Sequence, residues 1–226
     1  MASSLTDLYN RIQFELGDRV DLRSNGAIAA AVATAISAYQ KERFRFNENT
    51  PDEFQFNTTA NLAYYGSAQD ARIPLLYKVD AINYLLAQTT IRMTRESPER
   101  IYLSLLTGQV AGPPQNWAWD GDHIIIYPRP NTAYLLTILG YMQLAAPTDV
   151  NDTTSPWTNA AERLIRTRAK YEIFRNVTRN MEMAEAMSPL PPQPGEQGHE
   201  AYWAYVELKG EANKIRGTSR VRPMRF

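Results

Sequence analysis

The sequence predicts an α+β protein, mainly α, in which a helical bundle carries an inserted antiparallel β-rich subdomain and ends in an extended C-terminal tail. Helical patterns lie within the first 44 residues and return after Pro147. Residues 112–144, by contrast, contain runs rich in Ile, Leu, Tyr and Trp that are separated by turn signals. We therefore assign 1–50 and 147–216 to one helical domain, 51–146 to the β-rich subdomain, and 217–226 to a basic tail.

Two helices are predicted in the N-terminal segment. Apolar residues recur at steps of three and four over residues 4–16, behind the capping pair Ser4 and Asp7. A second helix is expected to start at Asp21 or Ser24 and to continue to residue 44, through seven alanines. Its alanine content suits either an ordinary helix of high propensity or a helix packed on two sides, including against another subunit.

The chain then changes character. Residues 47–66 carry turn signals and alternating aromatics, which favour turns and short strands. The runs VDAINYLL and TTIRMTR that follow contain β-branched residues and are predicted to pair as antiparallel strands, although a helix stays possible for the first. Ser97 as N-cap and Pro98 at the first helical position predict a short helix over 99–106.

Residues 112–144 predict two consecutive hairpins in one small sheet. The dipeptide Asp120-Gly121 favours a type I′ turn between strands 116–119 and 123–127, and a third strand runs over 133–142. These strands are apolar on both faces. Because one sheet cannot bury both faces in its own subunit, the pattern indicates a subunit of a larger assembly.

Helices are expected again after Pro147. A start at Ser155-Pro156 opens a stripe of apolar residues at intervals of four, from Trp157 to Met181. Such a stripe drifts around a helix of 3.6 residues per turn, so either the helix kinks near 176–180 or its two ends face different neighbours. A proline-rich linker over 188–198 precedes a last helix over 196–215.

The last segment, KIRGTSRVRPMRF, is the clearest charge asymmetry of the chain. Five basic residues and no acidic one follow Glu211. A solvated terminus and a tail that grips DNA phosphate are two interpretations. We favour a third, a docking tail whose arginines pair with partner carboxylates while its apolar residues enter pockets. The proposed docking residues are Arg220, Val221, Arg222, Met224, Arg225 and Phe226.

Composition narrows the function classes. The 24 basic and 24 acidic residues balance, so no overall field draws the chain to nucleic acid or membrane. Without cysteine, disulfides, thiolate nucleophiles and cysteine zinc sites are excluded, and His123 and His199 have no partner at metal-ligand spacing, which suggests ordinary surface or edge residues. No apolar stretch approaches a membrane span. We expect a soluble, unexported protein without metal, cofactor or enzymatic activity.

The order of features resembles the head-to-tail adaptor, or head completion, proteins of tailed bacteriophages. The resemblance spans nearly the whole chain. It rests on AISAYQKERFRFNE, EFQFNT, IYPRPNTAYLLTILGYMQL and SPWTNAAERLIRTRAKYEI. It implies a structural virion protein that forms a homo-oligomeric ring of twelve beneath the portal, continues the DNA channel without reading its sequence, and joins the next neck or tail protein, such as a nozzle, stopper or tail-tube component. Assembly in the host cytoplasm and a place in the virion neck follow from the same resemblance.

Other interpretations remain beside this one. A stopper or tail-completion protein would cap the adaptor ring, and a nucleic-acid-binding module would use the basic tail. A peptidoglycan hydrolase would use Asp120 and Asp122, although turn chemistry explains both residues. Four aromatic residues are expected either in partner contacts from the sheet or in the sheet's own core: Trp117, Trp119, Tyr134 and Tyr141.

Overall fold

The computed structural model describes residues 3–49, 53–108, 111–194 and 196–215, and the chain divides into two compact units. The helical unit comprises Met1–Phe46 and Ala145–Phe226, and the β unit comprises Asn47–Leu144. Across the described residues, seven α-helices and two sheets account for 38% helix and 20% strand. This composition confirms the predicted α+β class.

The first helix, α1 (Leu5–Glu15), begins where the sequence predicts. The Ser4 Oγ accepts a hydrogen bond from the Asp7 N–H at 3.1 Å, and the Asp7 carboxylate accepts one from the Ser4 N–H at 2.9 Å. This reciprocal capping box satisfies two N–H groups that the first turn would otherwise leave unpaired. Leu8 and Ile12 on its inner face are fully buried.

The predicted second helix is wrong in its extent, because the chain forms two helices there. They are α2 (Val20–Ser24) and α3 (Ala27–Tyr39). Between them Gly26 has a φ of +78°, a left-handed conformation that glycine adopts readily and that ends one helix before the next begins. α3 also ends earlier than expected. Beyond it Phe44 is buried and packs edge-on against Trp157, with 6.4 Å between ring centroids.

The start of the next long helix also differs from the prediction. α5 (Glu162–Asn176) begins six residues after Pro156, and the intervening residues form turns. The Asn159 side chain donates to the carbonyls of Thr153 and Ser155 at 2.7 and 2.9 Å. Such side-chain bonds offer the backbone an alternative to a helix, which explains the delayed start.

α5 is the centre of the helical unit, since it contacts α1, α3, α6 (Met181–Ala186) and α7 (Glu200–Ile215). The apolar stripe is buried along α5 as far as Ile173, whereas Val177 and Met181 are exposed. The helix ends at Asn176, and the Asn180 side chain caps α6 by accepting from the Met183 N–H. Of the two alternatives for the drifting stripe, the chain takes the break near 176–180.

α7 begins at Glu200, four residues later than predicted. Before it, His199 has a φ of +57° and is buried, so the expectation that it is a surface or edge residue is wrong. Its Nδ1 lies 2.9 Å from the Leu190 carbonyl oxygen in the proline-rich linker. The buried imidazole thus ties the linker to the start of α7.

The β unit contains two four-stranded sheets, not one. In spatial order the first sheet consists of β1 (Gln55–Asn57), β8 (Leu135–Met142), β3 (Leu76–Leu86) and β4 (Thr89–Arg92). The second consists of β2 (Tyr64–Tyr65), β7 (Ile124–Tyr127), β6 (Asn116–Trp119) and β5 (Thr94–Arg95). Neighbouring strands pair antiparallel except β5 and β6, which pair parallel.

The second predicted hairpin does not form, because β8 leaves the sheet of β7 and pairs with β1 and β3. Side chains of both sheets share one core, which includes Val79, Ile82, Trp117 and Ile126. The other face of the second sheet, with Ala118 and Ile125, packs on Ile101 of α4 (Pro98–Leu106). The apolar strands are therefore covered inside the subunit, and their composition does not by itself require a partner.

The backbone conformation of a type I′ turn occurs in the β3–β4 hairpin and not at Asp120-Gly121, where the sequence predicts it. A type I′ turn needs positive φ at both central residues. At Asp120–His123 only Gly121 has a positive φ, +73°, so the turn is not type I′. Between β3 and β4, however, Ala87 and Gln88 both have positive φ, 45° and 68°. The β3–β4 pairing confirms the predicted strands and excludes the helical alternative.

The two edges of the first sheet differ. At the β1 edge, the Arg72 guanidinium donates to the carbonyls of Glu53 and Gln55 at 2.6 and 3.2 Å. The Asp70 carboxylate holds this guanidinium at 2.6 Å, and that hydrogen bond lowers the pKa of Asp70. The arginine thereby occupies acceptors that another strand would need. Nothing comparable covers β4 in the part of the chain that the structure describes.

Gly140 lies where β8 passes the irregular part of β3. The β3–β8 register shifts between Leu76 and Lys78 and again between Val79 and Ala81. A Cβ at Gly140 would overlap the Lys78 carbonyl oxygen and lie 3.1 Å from the Val79 Cα. Only a residue without a side chain permits this close approach of two backbones.

Candidate functional site

The proposed docking residues, from Arg220 to Phe226, lie outside the described residues. What the structure describes is the helix that precedes them, α7, and its attachment to the helical unit. The Lys209 Nζ lies 2.6 Å from the Glu42 Oε2 and donates to the Arg43 carbonyl at 3.0 Å. The Tyr205 hydroxyl donates to the same Glu42 oxygen at 3.1 Å. These contacts define the anchor cluster of α7.

Aromatic rings complete the anchor cluster. Tyr205 stacks on Tyr39 at a centroid distance of 5.8 Å and meets Phe44 edge-on at 6.1 Å. The Lys209 ammonium lies 5.1 Å from the Phe44 ring centroid and 5.3 Å from that of Tyr205. Stacking, cation–π contact and ion pairing therefore act on the same two residues of α7. They fix this helix at the C-terminal end of α3.

The titration of the cluster follows from these contacts. The hydrogen bond from Lys209 lowers the pKa of Glu42. Burial, followed by the nearby Glu42 charge, raises the pKa of Tyr205 to about 12. A carboxylate whose pKa falls on folding stabilises the folded state above its unfolded pKa, and this contribution is lost as the pH falls through the folded pKa. The cluster is therefore intact at neutral pH, with Glu42 charged and Tyr205 protonated.

We expect the substitution Lys209→Met to destabilise the chain by about 0.5–1 kcal/mol at pH 7, because the pair is partly exposed. The difference from the unsubstituted chain should shrink below about pH 4, where Glu42 becomes protonated in both proteins. Urea unfolding at several pH values measures this difference in the free energy of unfolding. Lys41→Met, which removes a nearby exposed positive charge, is the control and should show no such pH dependence. If Lys209→Met lowered the free energy of unfolding equally at pH 3 and pH 7, the ion pair would not be the source of the effect.

Residues 3–218 match the SU10 adaptor protein family. The chain belongs to this family of phage head-to-tail adaptors. The resemblance to adaptors noted in the sequence is thereby confirmed. No curated protein matches the chain. Membership makes it a bacteriophage adaptor and implies a place in the virion neck, in association with portal and tail proteins.

The adaptor has an unequal distribution of charge. Its total charge is zero, but the five basic residues after Glu211 leave a net charge of −5 on residues 1–211. The acidic body and the basic end are joined by α7, whose last described turn reaches Ile215. The anchor cluster therefore fixes the helix from which the basic end continues.

The four aromatic residues expected in the sheet lie in or beside the core of the adaptor's β unit. Trp117 is 1% exposed, Tyr134 is 6% exposed and Tyr141 is 8% exposed, while Trp119 is partly buried. The Tyr134 hydroxyl donates to the Asn131 Oδ1 at 2.7 Å. Of the two expected roles, the structure places Trp117 and Tyr134 in the sheet's own core. Binding of a partner by the group stays a prediction.

Asp120 and Asp122 of the adaptor are both engaged at the hairpin. The Asp120 carboxylate accepts a hydrogen bond from the Tyr102 hydroxyl at 2.5 Å, which raises the pKa of Tyr102 to about 12. Asp122 lies 2.5 Å from the His123 Nδ1. Within the described ranges, no three acidic or histidine side chains form a group that could hold a metal ion.

Among the helices that the structure describes, none is both long and apolar enough to cross a bilayer.

Sequence reasoning missed the anchor cluster. Glu42 and Lys209 are 167 residues apart, and no local pattern joins them. The available signal was Glu42 itself, the one acidic residue in the basic and aromatic run KERFRF. A lone carboxylate there indicates a specific partner, but nothing in the sequence says which lysine supplies it.

Proposed function

We propose that this adaptor forms a homo-oligomeric ring of twelve that docks to the portal through its basic C-terminal residues and continues the DNA channel toward the tail. Membership of the adaptor family over residues 3–218 carries this proposal. In it, the helical domain of residues 1–50 and 147–216 forms the body, and the inserted subdomain of residues 51–146 faces the next neck or tail protein.

The arginines of the C-terminal segment support the proposed docking to the portal. Arginine is the side chain best suited to bidentate pairing with carboxylates, and three arginines lie between residues 220 and 225. The anchor cluster of Lys209, Glu42 and Tyr205 favours docking, because it fixes the helix that leads to these residues. A tail presented from a fixed base loses less entropy on binding than one presented from a mobile base.

The negative net charge of residues 1–211 supports the proposed role in continuing the DNA channel. Residues 1–211 carry a net charge of −5, which disfavours tight binding of DNA phosphates. DNA must slide through a neck channel without being held there. A body of this charge suits passage, while the basic end is directed to protein.

The ring contact has candidate surface residues in the helical unit. Phe14 of α1 is 78% exposed and Val20 of α2 is 61% exposed. Apolar side chains this exposed on neighbouring helices suit a contact between copies of the chain. A head-to-tail contact of this kind closes into a ring when its rotation divides a full turn.

The test is reconstitution on the portal. We expect the purified adaptor, mixed with purified portal rings of the same phage, to form a second ring of twelve copies on the tail-facing end, visible by electron microscopy. Portal rings alone and adaptor alone are the controls. A folded adaptor that leaves the portal bare but adds to a preformed adaptor ring would contradict the proposal and identify a stopper or tail-completion protein.

A further inference from the structure

A cavity in the β unit is not explained by the proposed function. It has a volume of about 340 Å³ and opens where the chain leaves the first sheet for the second. Its walls are Asp80 and Ala81 of β3, the segment 92–95, and Trp117 of β6. The space arises because β4 ends at Arg92, while β5 pairs with the other sheet from Thr94.

The cavity has an excess of positive charge. Among the described residues, Arg92 has no hydrogen-bond or ion-pair partner, and Arg95 makes only a cation–π contact, 5.4 Å from the Trp117 ring centroid. Asp80 is the acidic residue of the lining, and the Lys78 Nζ lies 3.9 Å from its carboxylate. The guanidinium groups of Arg92 and Arg95 therefore line a space whose acidic side chain, Asp80, is already close to a lysine. Guanidinium groups bind carboxylates in a bidentate manner, so the space suits an acidic ligand.

Trp117, which lines the cavity, carries an unsatisfied donor. The side chain is 1% exposed, and its Nε1 has no hydrogen-bond partner. A buried N–H group without an acceptor is destabilising, and the indole N–H can only donate. A carboxylate oxygen entering the cavity would provide the missing acceptor.

The strand beside the cavity has an open edge. The Met93 N–H donates to Ile82 of β3, whereas the N–H groups of Thr94 and Glu96 donate to Gln115 and to Trp117. Successive residues of an extended strand turn their polar groups to opposite edges. Thr90 and Arg92 therefore direct their N–H and C=O groups away from β3, to the side that β6 occupies only from Thr94 onward.

That edge stays open for a reason that the sequence gives. Pro113 and Pro114 precede β6 on the same side, and proline has no N–H with which to extend the ladder. The opposite edge of the first sheet is closed by Arg72. An added strand would thus find free backbone groups at Thr90 and Arg92, next to the cavity.

We propose that the cavity and the β4 edge together bind an extended acidic segment of a partner protein. The segment pairs its backbone with Thr90 and Arg92, and one of its carboxylates enters the cavity. There the carboxylate accepts hydrogen bonds from Arg92, Arg95 and the Trp117 Nε1. The inference rests on the proposed function only in taking the partner to be a neighbouring protein of the virion.

The test uses the full chain without portal and the blocked peptide acetyl-TVEVT-amide, with acetyl-TVQVT-amide as the matched neutral probe. Calorimetry measures affinity, and the indole N–H resonance of Trp117 in a nitrogen-15 spectrum reports the new hydrogen bond. We expect the acidic peptide to bind at least tenfold more tightly than the neutral one and to shift the Trp117 resonance downfield.

Three variants and a control test whether the charged residues of the cavity bind the acidic peptide. Arg92→Gln and Arg95→Gln should each weaken the acidic peptide about tenfold, and Asp80→Asn should tighten it by removing a competing charge. Arg100→Gln on α4 removes another exposed positive charge of the same unit and should leave affinity unchanged. Equal affinity for both peptides, no binding at 10 mM (about 2.7 kcal/mol of affinity), or a Trp117 resonance that does not move would overturn the inference. Because portal is absent, none of these outcomes bears on ring formation.

Discussion

An adaptor that lacks residues 221–226 is expected to keep its fold and to lose attachment to portal rings. Every described helix and strand ends by Ile215, so the elements of both units remain in the shortened chain. The deletion removes Arg222, Arg225 and Phe226. At about 1.5–3 kcal/mol for each charge-assisted pair, the loss of two arginines alone weakens binding by about 100-fold or more.

The measurement is the fraction of portal rings that carry a second ring, scored by electron microscopy, with circular dichroism to confirm folding. The double variant Lys41→Gln/Arg179→Gln removes two positive charges from the body and serves as the control for a nonspecific charge effect. Attachment by the shortened chain at the level of the full chain would show that docking residues lie elsewhere.

Gly140→Ala is expected to be the most destabilising single substitution in the β unit. The added methyl group would overlap the Lys78 carbonyl oxygen in the backbone of β3, which cannot move as a flexible side chain can. We expect a loss of about 3 kcal/mol or more, since the central pair of the first sheet must separate to admit the group.

Urea unfolding followed by a probe in the β unit measures the effect. Gly112→Ala in the same unit is the matched control, because a Cβ there meets no atom within 4 Å. It should change stability by no more than about 0.5 kcal/mol. A Gly140→Ala protein as stable as this control would mean that β3 and β8 approach less closely in solution.

Local chemistry explains what the sequence predicted correctly. Ser4 with Asp7, and Ser97 with Pro98, mark the starts of α1 and α4, because capping depends on residues within one turn. The β-branched runs likewise predicted the pairing of β3 and β4. The fold class follows from such signals taken together.

Long-range pairing explains what the sequence did not predict. The strand after Pro130 is equally apolar whether it joins β7 or β3, so periodicity alone could not divide the strands between two sheets. The positive φ at Ala87 and Gln88 lacks the usual glycine or asparagine signal. The anchor cluster and the burial of the Trp117 donor depend on packing between distant residues, which no window of sequence contains.

The insertion of the β unit between the two parts of the helical unit sets an order for folding during synthesis. Residues 47–144 are contiguous, so every residue of the β unit has been synthesised before α5 is made. The helical unit instead needs contacts such as Glu15 with Arg166, across 151 residues. Its N-terminal helices must wait, with apolar faces uncovered, until the C-terminal half arrives. The helical unit therefore completes its fold after the β unit, and its N-terminal helices are the part of the nascent chain most exposed to aggregation until then.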